Sequence, residues 1–572
     1  MSQHVVIIGG VALGPKAACR LKRVQPDARV TMIDSQKIIS YGGCGIPYLV
    51  SGDVSDPDQL RTTNFHALRD EAFFRQAKGV DVLSETTVLK IDRARKKVLV
   101  QEKGQKPREI GYDKLVLATG SRPRPLPIPG TDLPGCLAVG SMEDALTIRE
   151  MVTTGKVSRA VIVGAGFIGL EMAEALTDMW GIETSVIEVA DQVLPGVVSR
   201  TLASMAQKHL ADNDVSLHLA EMVTAIEGEG KVERVITTKR TLEADLVILA
   251  AGVLPNAELA RDAGLSVSSS TGAILVNKTM QTSDPDIYSG GDCVAIENLI
   301  TGKPAMFPLG SMANRQGRVI GTNLAGGRAT FPGAVGSLSI KLFDAGIAGT
   351  GLTLKRAQAE GFDAISAQVI QFDHAHFYPE KTLITLELVV EKGTRRVLGI
   401  QGMSKNLEGV AGRINAVAAI LKYKPTIEDI SNLELAYSPP FAAAMDVLNV
   451  VANVADNILA GRNTPITPDE FARMWAGRKD DNFIVLDCRD RDNAIKFLEK
   501  HPDFWMNITG ETIQEHVDEL PKDKKIVLMC NTGARSYEAQ VKLTKAGLND
   551  TVNLQGGWGN LRQWGLDPTT ED

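Results

Sequence analysis

Two cysteines stand where a thiol would be reactive. Cys44 lies in Ser40-Tyr41-Gly42-Gly43-Cys44-Gly45-Ile46-Pro47-Tyr48, flanked by glycines and opening a helix. A cysteine so placed is suited to ionise, and the thiolate is the nucleophile. Cys530 begins Cys530-Asn531-Thr532-Gly533-Ala534-Arg535-Ser536, after an apolar strand over residues 525–529 and before a helix. A short loop of that kind points backbone N–H groups at the sulfur. Arg535 and the helix N-terminus add positive potential, which favours a thiolate and a bound persulfide. A third group is cationic: Lys16, Arg20 and Arg23 recur at i, i+4 and i+7 on one face of the first helix, a local patch for an anionic substrate.

Two glycine turns read as nucleotide sites. Gly164-Ala165-Gly166-Phe167-Ile168-Gly169 follows a strand and opens a helix. Glycines there allow a tight turn, close approach of pyrophosphate and close helix packing, and the helix N-terminus supplies N–H groups for the phosphates. Glu188 ends the next strand, where a carboxylate accepts from a ribose hydroxyl and disfavours a 2′-phosphate, so NADH is expected over NADPH. The first turn, Gly9-Gly10-Val11-Ala12-Leu13-Gly14, is less regular. Val11 replaces a middle glycine, and Asp34 ends the second strand as the matching acid.

The elements that must position these groups recur along the chain. Two strand–turn–helix–strand units imply two doubly wound domains, and two nucleotide domains imply electron transfer between two cofactors. Alternating strands over about residues 336–402 suggest an α+β domain. Gly461-Arg462-Asn463-Thr464-Pro465 reads as a linker, and a strand–helix pattern restarts at Thr467. The 572 residues are too many for one domain, and 44% hydrophobic with 23% charged residues is ordinary globular composition. A net charge of −7 argues against nucleic acid or an anionic membrane as partner. Of the cysteines Cys19, Cys44, Cys136, Cys293, Cys488 and Cys530, none forms a C-x-x-C pair, so no metal site is expected. With no basic leader or long apolar run, the expected location is the cytoplasm.

Residues 4–450 resemble the two-dinucleotide-binding flavoprotein disulfide reductases. The resemblance rests on the first glycine motif, Ala118-Thr119-Gly120, the second glycine motif followed by Glu171, and Tyr288-x-x-Gly291-Asp292. It implies FAD in the first domain, held in part by Thr119, Gly120 and Asp292, and NAD(P)H in the second. Members resembling glutathione reductase use two cysteines separated by four residues. Leu49 occupies the second position here, so Cys44 works alone, through a mixed disulfide, a persulfide or a sulfenic acid.

The subgroup it looks like is the coenzyme A-disulfide reductases and their NADH-dependent persulfide and polysulfide reductase relatives. The chain keeps Ser40, Tyr41, Cys44, Gly45, Pro47 and Tyr48 of that stretch, and departs at Gly43, where asparagine is usual. Leu13 and Met445 are further departures, for a glycine and a lysine. The resemblance implies that the face carrying Lys16, Arg20 and Arg23 holds coenzyme A phosphates, with Arg75 and Lys78 as added candidates and Ser40 beside the thiol. It also implies a homodimer in which Tyr378 and Tyr437 reach the partner's active site, where a phenol donates to a leaving thiolate; a packing role stays open for both.

Residues 466–566 resemble a rhodanese domain. Cys530 to Ser536 match its active-site loop, Asp487 and Arg489 its Leu-Asp-x-Arg strand end, and Gly556-Gly557-Trp558 its terminal turn. The expected domains are FAD-binding (1–145 and 271–328), NAD-binding (146–270), dimerisation (329–452), linker (453–466) and rhodanese-like (467–572). The expected fold is α/β: two Rossmann-like domains, an α+β dimerisation domain and an α/β rhodanese domain. The expected activity is NADH-linked reduction of persulfide, polysulfide or coenzyme A persulfide or disulfide at Cys44, with sulfane sulfur carried on Cys530. Rivals are an NADH oxidase or peroxidase using Cys44 sulfenic acid, whose loop histidine is Ala12 here, and a low-turnover sulfur carrier.

Overall fold

A computed structural model of the chain describes residues 3–480 and 482–570. Two compact units account for it. One runs up to Val189 and takes Asp214–Ala334; the other takes Ala190–Asn213 and everything from Val335 on.

The first unit contains two parallel sheets. β1 (His4–Ile8), α1 (Leu13–Val24) and β2 (Arg29–Ile33) form the first βαβ unit, and α2 (Ile46–Ser51) follows. With β3 (Asp81–Leu83) and β4 (Lys114–Leu117) these strands build a sheet completed from far along the chain. The second sheet takes β5 (Cys136–Ala138), β6 (Arg159–Val163), β7 (Glu183–Glu188), β8 (Val215–Leu219) and β9 (Leu246–Leu249), with α3 (Phe167–Thr177) after β6. The connection from β7 to β8 carries α4 (Arg200–Ala211). The strand completing the first sheet is β10 (Ile287–Ser289), and α5 (Gly310–Leu324) closes this part of the chain. The strand orders are β10-β4-β1-β2-β3 and β8-β7-β6-β9-β5. The central strands are apolar throughout because parallel strands are covered on both faces: Val5, Val6 and Ile7 are inaccessible to solvent.

The second unit pairs an antiparallel sheet with a parallel one. β11 (Leu338–Leu342), β12 (Ala345–Gly351), β13 (Ala364–Phe372), β14 (Leu383–Glu391) and β15 (Val397–Ser404) stand in the order β11-β12-β15-β14-β13. Helices α6 (Leu407–Leu421) and α7 (Val447–Leu459) follow. The C-terminal part contains β16 (Pro465–Ile466), α8 (Pro468–Ala476), β17 (Phe483–Asp487), β18 (Trp505–Asn507), β19 (Lys525–Met529), α9 (Ala534–Lys545), β20 (Thr551–Leu554) and α10 (Gly557–Trp564). Its order is β16-β20-β19-β17-β18, all parallel.

The stretch read as a linker differs from the expectation. α7 runs through its first half, because Val447, Leu448, Val451, Ala452 and Ala455 recur on one buried face. Its last two residues form β16, paired with β20. Likewise β5 lies inside the segment assigned to the FAD-binding domain but pairs with β9 in the second nucleotide sheet. Among the described residues no helix is long and apolar enough to cross a membrane.

Candidate functional site

The first glycine turn is shaped by close backbone approach. Gly9 has φ +112°, and a Cβ there would lie 2.0 Å from the Ala118 carbonyl oxygen. A Cβ on Gly14 would lie 1.9 Å from the Gly9 carbonyl oxygen. Asp34 accepts the Gly10 N–H at 2.6 Å and the Gln36 N–H at 2.8 Å. Burial raises its carboxyl pKa and these two amides oppose the rise. Each carboxylate oxygen retains a lone pair for a ribose hydroxyl. Thr119 donates its hydroxyl to the Asn256 carbonyl at 2.6 Å, and Gly120 follows at φ +65°. Asp292 accepts the Ser121 hydroxyl at 3.1 Å, and burial pushes its pKa up.

The second turn repeats the design. Gly164 has φ +111°, a Cβ on Gly169 would lie 1.9 Å from the Gly164 carbonyl oxygen, and Glu188 accepts the Ala165 N–H at 2.8 Å. A Cβ on Gly166 would project into open space before the N-terminus of α3, the face a pyrophosphate must approach. Both turns therefore fit a dinucleotide. Glu171, on α3, has its carboxyl pushed up to about 7 by burial and by Glu174.

Cys44 sits in the short turn Gly43–Gly45, which runs directly into α2, and its side chain is exposed. It lines a cavity of ≈ 380 Å³ together with Ser40, Lys16, Arg23 and Lys78. α1 supplies one wall through Pro15, Lys16, Cys19 and Arg23, a stripe at helical spacing that Ala12 at its N-cap continues. Arg69, which sequence periodicity could not flag because it lies in a loop, adds a fourth cation. Its Nε donates to the Arg61 carbonyl at 3.0 Å, which fixes the guanidinium. The four cations converge: burial raises the Cys19 thiol pKa, while Lys78, Arg23, Lys16 and Arg69 all pull against the rise.

Two expected members are elsewhere. Arg20 turns away and donates to the Thr322 hydroxyl of α5 at 2.9 Å. The reason is helix packing: α5 approaches α1 at its glycines, and a Cβ on Gly321 would come within 2.7 Å of Arg20 Cβ. Arg75 is exposed and is not among the lining residues.

The second thiol lies in the second unit. Cys530 is 1% exposed. Gly533, at φ +90°, directs its N–H to Cys530 Sγ at 3.1 Å, and the Ser536 hydroxyl donates to the same sulfur at 3.3 Å. Arg535 is half-buried in the first turn of α9. The Trp558 N–H donates to the Cys530 carbonyl at 2.7 Å, and a Cβ on Gly557 would lie 2.2 Å from that oxygen, so the close approach requires glycine. Beneath the loop, Arg489 and Asp487 form a buried pair at 2.6 Å with the guanidinium over Phe497 and Trp558. Burial drives the neighbouring Cys488 thiol strongly up, so it stays protonated. Tyr378 and Tyr437 are also in this unit. Tyr378 stacks on His374 at 5.7 Å; Tyr437 is exposed, as are Phe377, Phe441 and Met445.

Comparison with known proteins gives the family. Residues 3–317 match the model of pyridine nucleotide-disulphide oxidoreductases, 338–448 that family's dimerisation domain, and 467–563 the rhodanese-like domain. The NAD(P)H sulfur oxidoreductase (CoA-dependent) of Pyrococcus abyssi is 38% identical over 455 residues, covering 79% of this chain and 98% of that protein. The NAD-dependent persulfide reductase from A. fulgidus has a TM-score of 0.91 at 40% identity, covering 97% of this chain and 99% of that one. The reduced CoADR-RHD of Bacillus anthracis has a TM-score of 0.89 at 29% identity, covering 99% and 98%. The chain belongs to the pyridine nucleotide-disulphide oxidoreductases, enzymes that use FAD and NAD(P)H, and carries a dimerisation domain and a rhodanese-like domain.

Proposed function

We propose that this enzyme is an NADH-linked reductase of persulfide, polysulfide or coenzyme A persulfide or disulfide, with Cys44 as its single redox thiol and Cys530 as a carrier of sulfane sulfur. One observation carries the reading: an exposed thiol opens onto a cavity that also presents Lys16, Arg23, Arg69 and Lys78. That arrangement suits an anionic thiol derivative such as coenzyme A. The names of the Pyrococcus abyssi and A. fulgidus relatives support the same substrate class.

Gly9, Gly10, Gly14, Asp34, Thr119, Gly120 and Asp292 would hold FAD, and Gly164, Gly166, Gly169, Glu171 and Glu188 would hold NADH. Bound FAD supplies two-electron redox chemistry between NADH and sulfur. The chain's own part is sulfur exchange. Cys44 thiolate attacks a sulfur–sulfur bond of the acceptor, forms a bond to one sulfur and releases sulfide or thiol with the electron pair of the broken bond. The cations hold the anionic acceptor over the thiol, and Ser40 lines the same space. Two electrons from NADH then break the new Cys44 sulfur–sulfur bond, returning Cys44 to the thiolate and releasing the captured sulfur as sulfide or thiolate. The carboxylate of Glu188 supports NADH over a 2′-phosphorylated donor.

The working form is a homodimer in the cytoplasm, with Tyr378 and Tyr437 delivered to the partner's Cys44. The exposed apolar side chains of Phe377, Phe441 and Met445 support that assembly. At the second thiol, the Gly533 N–H, the Ser536 hydroxyl and Arg535 stabilise a Cys530 thiolate able to accept sulfane sulfur.

The test is a screen of NADH oxidation by the purified enzyme with polysulfide, coenzyme A persulfide, coenzyme A disulfide and hydrogen peroxide. Fast turnover with a sulfur acceptor and slow turnover with peroxide is expected. Preference for peroxide or oxygen would overturn the reading in favour of an oxidase.

A further inference from the structure

Cys488 and Cys530 are the two cysteines of the second unit, at 0% and 1% exposure. They stand just past the ends of neighbouring parallel strands, β17 and β19. The register pairs Asp487 with Met529, and the Cys488 N–H donates to the Met529 carbonyl at 2.8 Å. A parallel ladder makes that bond when Cys488 stands opposite Cys530. Side chains alternate along a strand, so Ile484, Leu486 and Cys488 share a face with Ile526, Leu528 and Cys530, and these six belong to one buried cluster. Neighbouring strands lie about 4.8 Å apart, within the roughly 4.4–6.8 Å between Cα atoms that a disulfide spans.

The mechanism above leaves Cys488 without a task. Burial first, and then the charge on Cys530, raise its thiol pKa, while Arg535 pulls the other way. Beside a bare Cys530 thiolate it therefore keeps its proton. Loading of sulfane sulfur changes its neighbour. The charge of a persulfide sits on the outer sulfur, which is a base, and the inner sulfur becomes an electrophile. That inner sulfur is the atom met by the Gly533 N–H at 3.1 Å and the Ser536 hydroxyl at 3.3 Å.

We propose that Cys488 is a resolving thiol for the Cys530 persulfide, releasing the carried sulfur as sulfide and leaving a Cys488–Cys530 disulfide. The inference rests on Cys530 as the carrier of sulfane sulfur. The Cys488 proton passes to the outer sulfur. Cys488 Sγ bonds to Cys530 Sγ, and the bond to the outer sulfur breaks with its electron pair leaving on hydrosulfide. The sulfane sulfur is reduced and the two thiols are oxidised, so no outside oxidant enters. Two equivalents of a small thiol reset the site. The first thiolate attacks Cys530 and expels Cys488, which regains a proton; the second displaces the first from Cys530 as a symmetrical disulfide. That disulfide is of the class proposed for reduction at Cys44.

The experiment uses the full-length holoenzyme carrying Cys44→Ser, which removes the exposed thiol of the first unit. Thiosulfate is added anaerobically, without NADH or thiol. Sulfite reports loading of Cys530, sulfide reports resolution, and peptide mapping after acid quench reports the state of both cysteines. With Cys488 intact, about one sulfide per subunit and a linked Cys488–Cys530 peptide are expected. Adding Cys488→Ala should leave the sulfite burst within about twofold, abolish sulfide, and lengthen the life of the Cys530 persulfide at least about tenfold. Cys530→Ser should give neither sulfite nor sulfide. The linked peptide is read with Cys488 in place, so poor folding of Cys488→Ala leaves the test decisive. Sulfite without sulfide or linked peptide, when Cys488 is intact, overturns the resolving step alone. Absence of sulfite overturns Cys530 as carrier and the inference with it.

Discussion

The Ser536 hydroxyl donates to the Cys530 sulfur at 3.3 Å from the first turn of α9, so the thiol is met by a side-chain donor as well as by the Gly533 amide. Both donors stabilise the thiolate more than the thiol. Ser536→Ala should slow sulfurtransferase turnover about tenfold, as loss of one hydrogen bond to a charged sulfur implies. The rate of Cys530 alkylation at a fixed pH should fall in the same variant. An unchanged alkylation rate would show that Ser536 only packs.

Cys44→Ser should abolish reduction of every sulfur acceptor, while NADH still bleaches the flavin. The thiol is needed only after the nucleotide has reacted. Absorbance at the flavin band, with and without acceptor, separates the two steps; multiple turnover in the variant would mean that the chemistry bypasses Cys44.

Arg69→Ala should raise KM for an anionic acceptor roughly tenfold and steepen the loss of activity with salt less than wild type shows. Arg20→Ala, whose side chain is committed to Thr322, should leave KM within about twofold. Equal effects of the two substitutions would contradict the cavity as the acceptor site.

Glu171 provides a pH signature. Its carboxyl is raised from 4.5 to about 7 by burial and by Glu174, so the folded chain holds that proton more tightly than the unfolded one. Stability tied to this group is present at low pH and is lost as pH rises through about 7. Glu171→Gln should therefore melt higher than wild type at about pH 8 by at most ~3 kcal/mol, with the difference vanishing near pH 5. Tm against pH measures it, and a gap independent of pH would refute the assignment.

Cys530→Ser should remove sulfur transfer from thiosulfate or a persulfide donor and leave reduction of small soluble persulfides at Cys44 largely intact. Sulfide release from each donor is the measurement. If the variant equals wild type with every donor, the rhodanese-like domain has no sulfur chemistry in this enzyme.

Much of the architecture was legible because it is written in local backbone demands. Gly9 and Gly164 must adopt positive φ, Gly14 and Gly169 must let a helix approach, and such needs leave only glycine at fixed spacing. The loop around Cys530 was readable for the same reason. What escaped was set by tertiary contact. Arg20 shares a face with Lys16 and Arg23 within the tolerance of helical spacing, yet the approach of α5 at Gly321 assigns it to another neighbour. Arg69 comes from a loop without periodicity. The attachment of Ala190–Asn213 to the second unit is invisible in a sequence that reads as an ordinary crossover.

The β16 strand bears on how such a fusion can be taken apart. Pro465 and Ile466 are edge-strand residues of the C-terminal sheet, the Asn553 N–H donates to the Thr464 carbonyl at 2.8 Å, and Gln540 Oε1 accepts the Thr464 N–H at 3.1 Å. Residues that look like a dispensable spacer are thus the first rung of the downstream fold. A protease cutting after Pro465, or a chimera joined there, would strip one domain of its border strand and expose the backbone of β20. A clean exchange of sulfur-carrying modules has to be spliced upstream, between the end of α7 and Asn463.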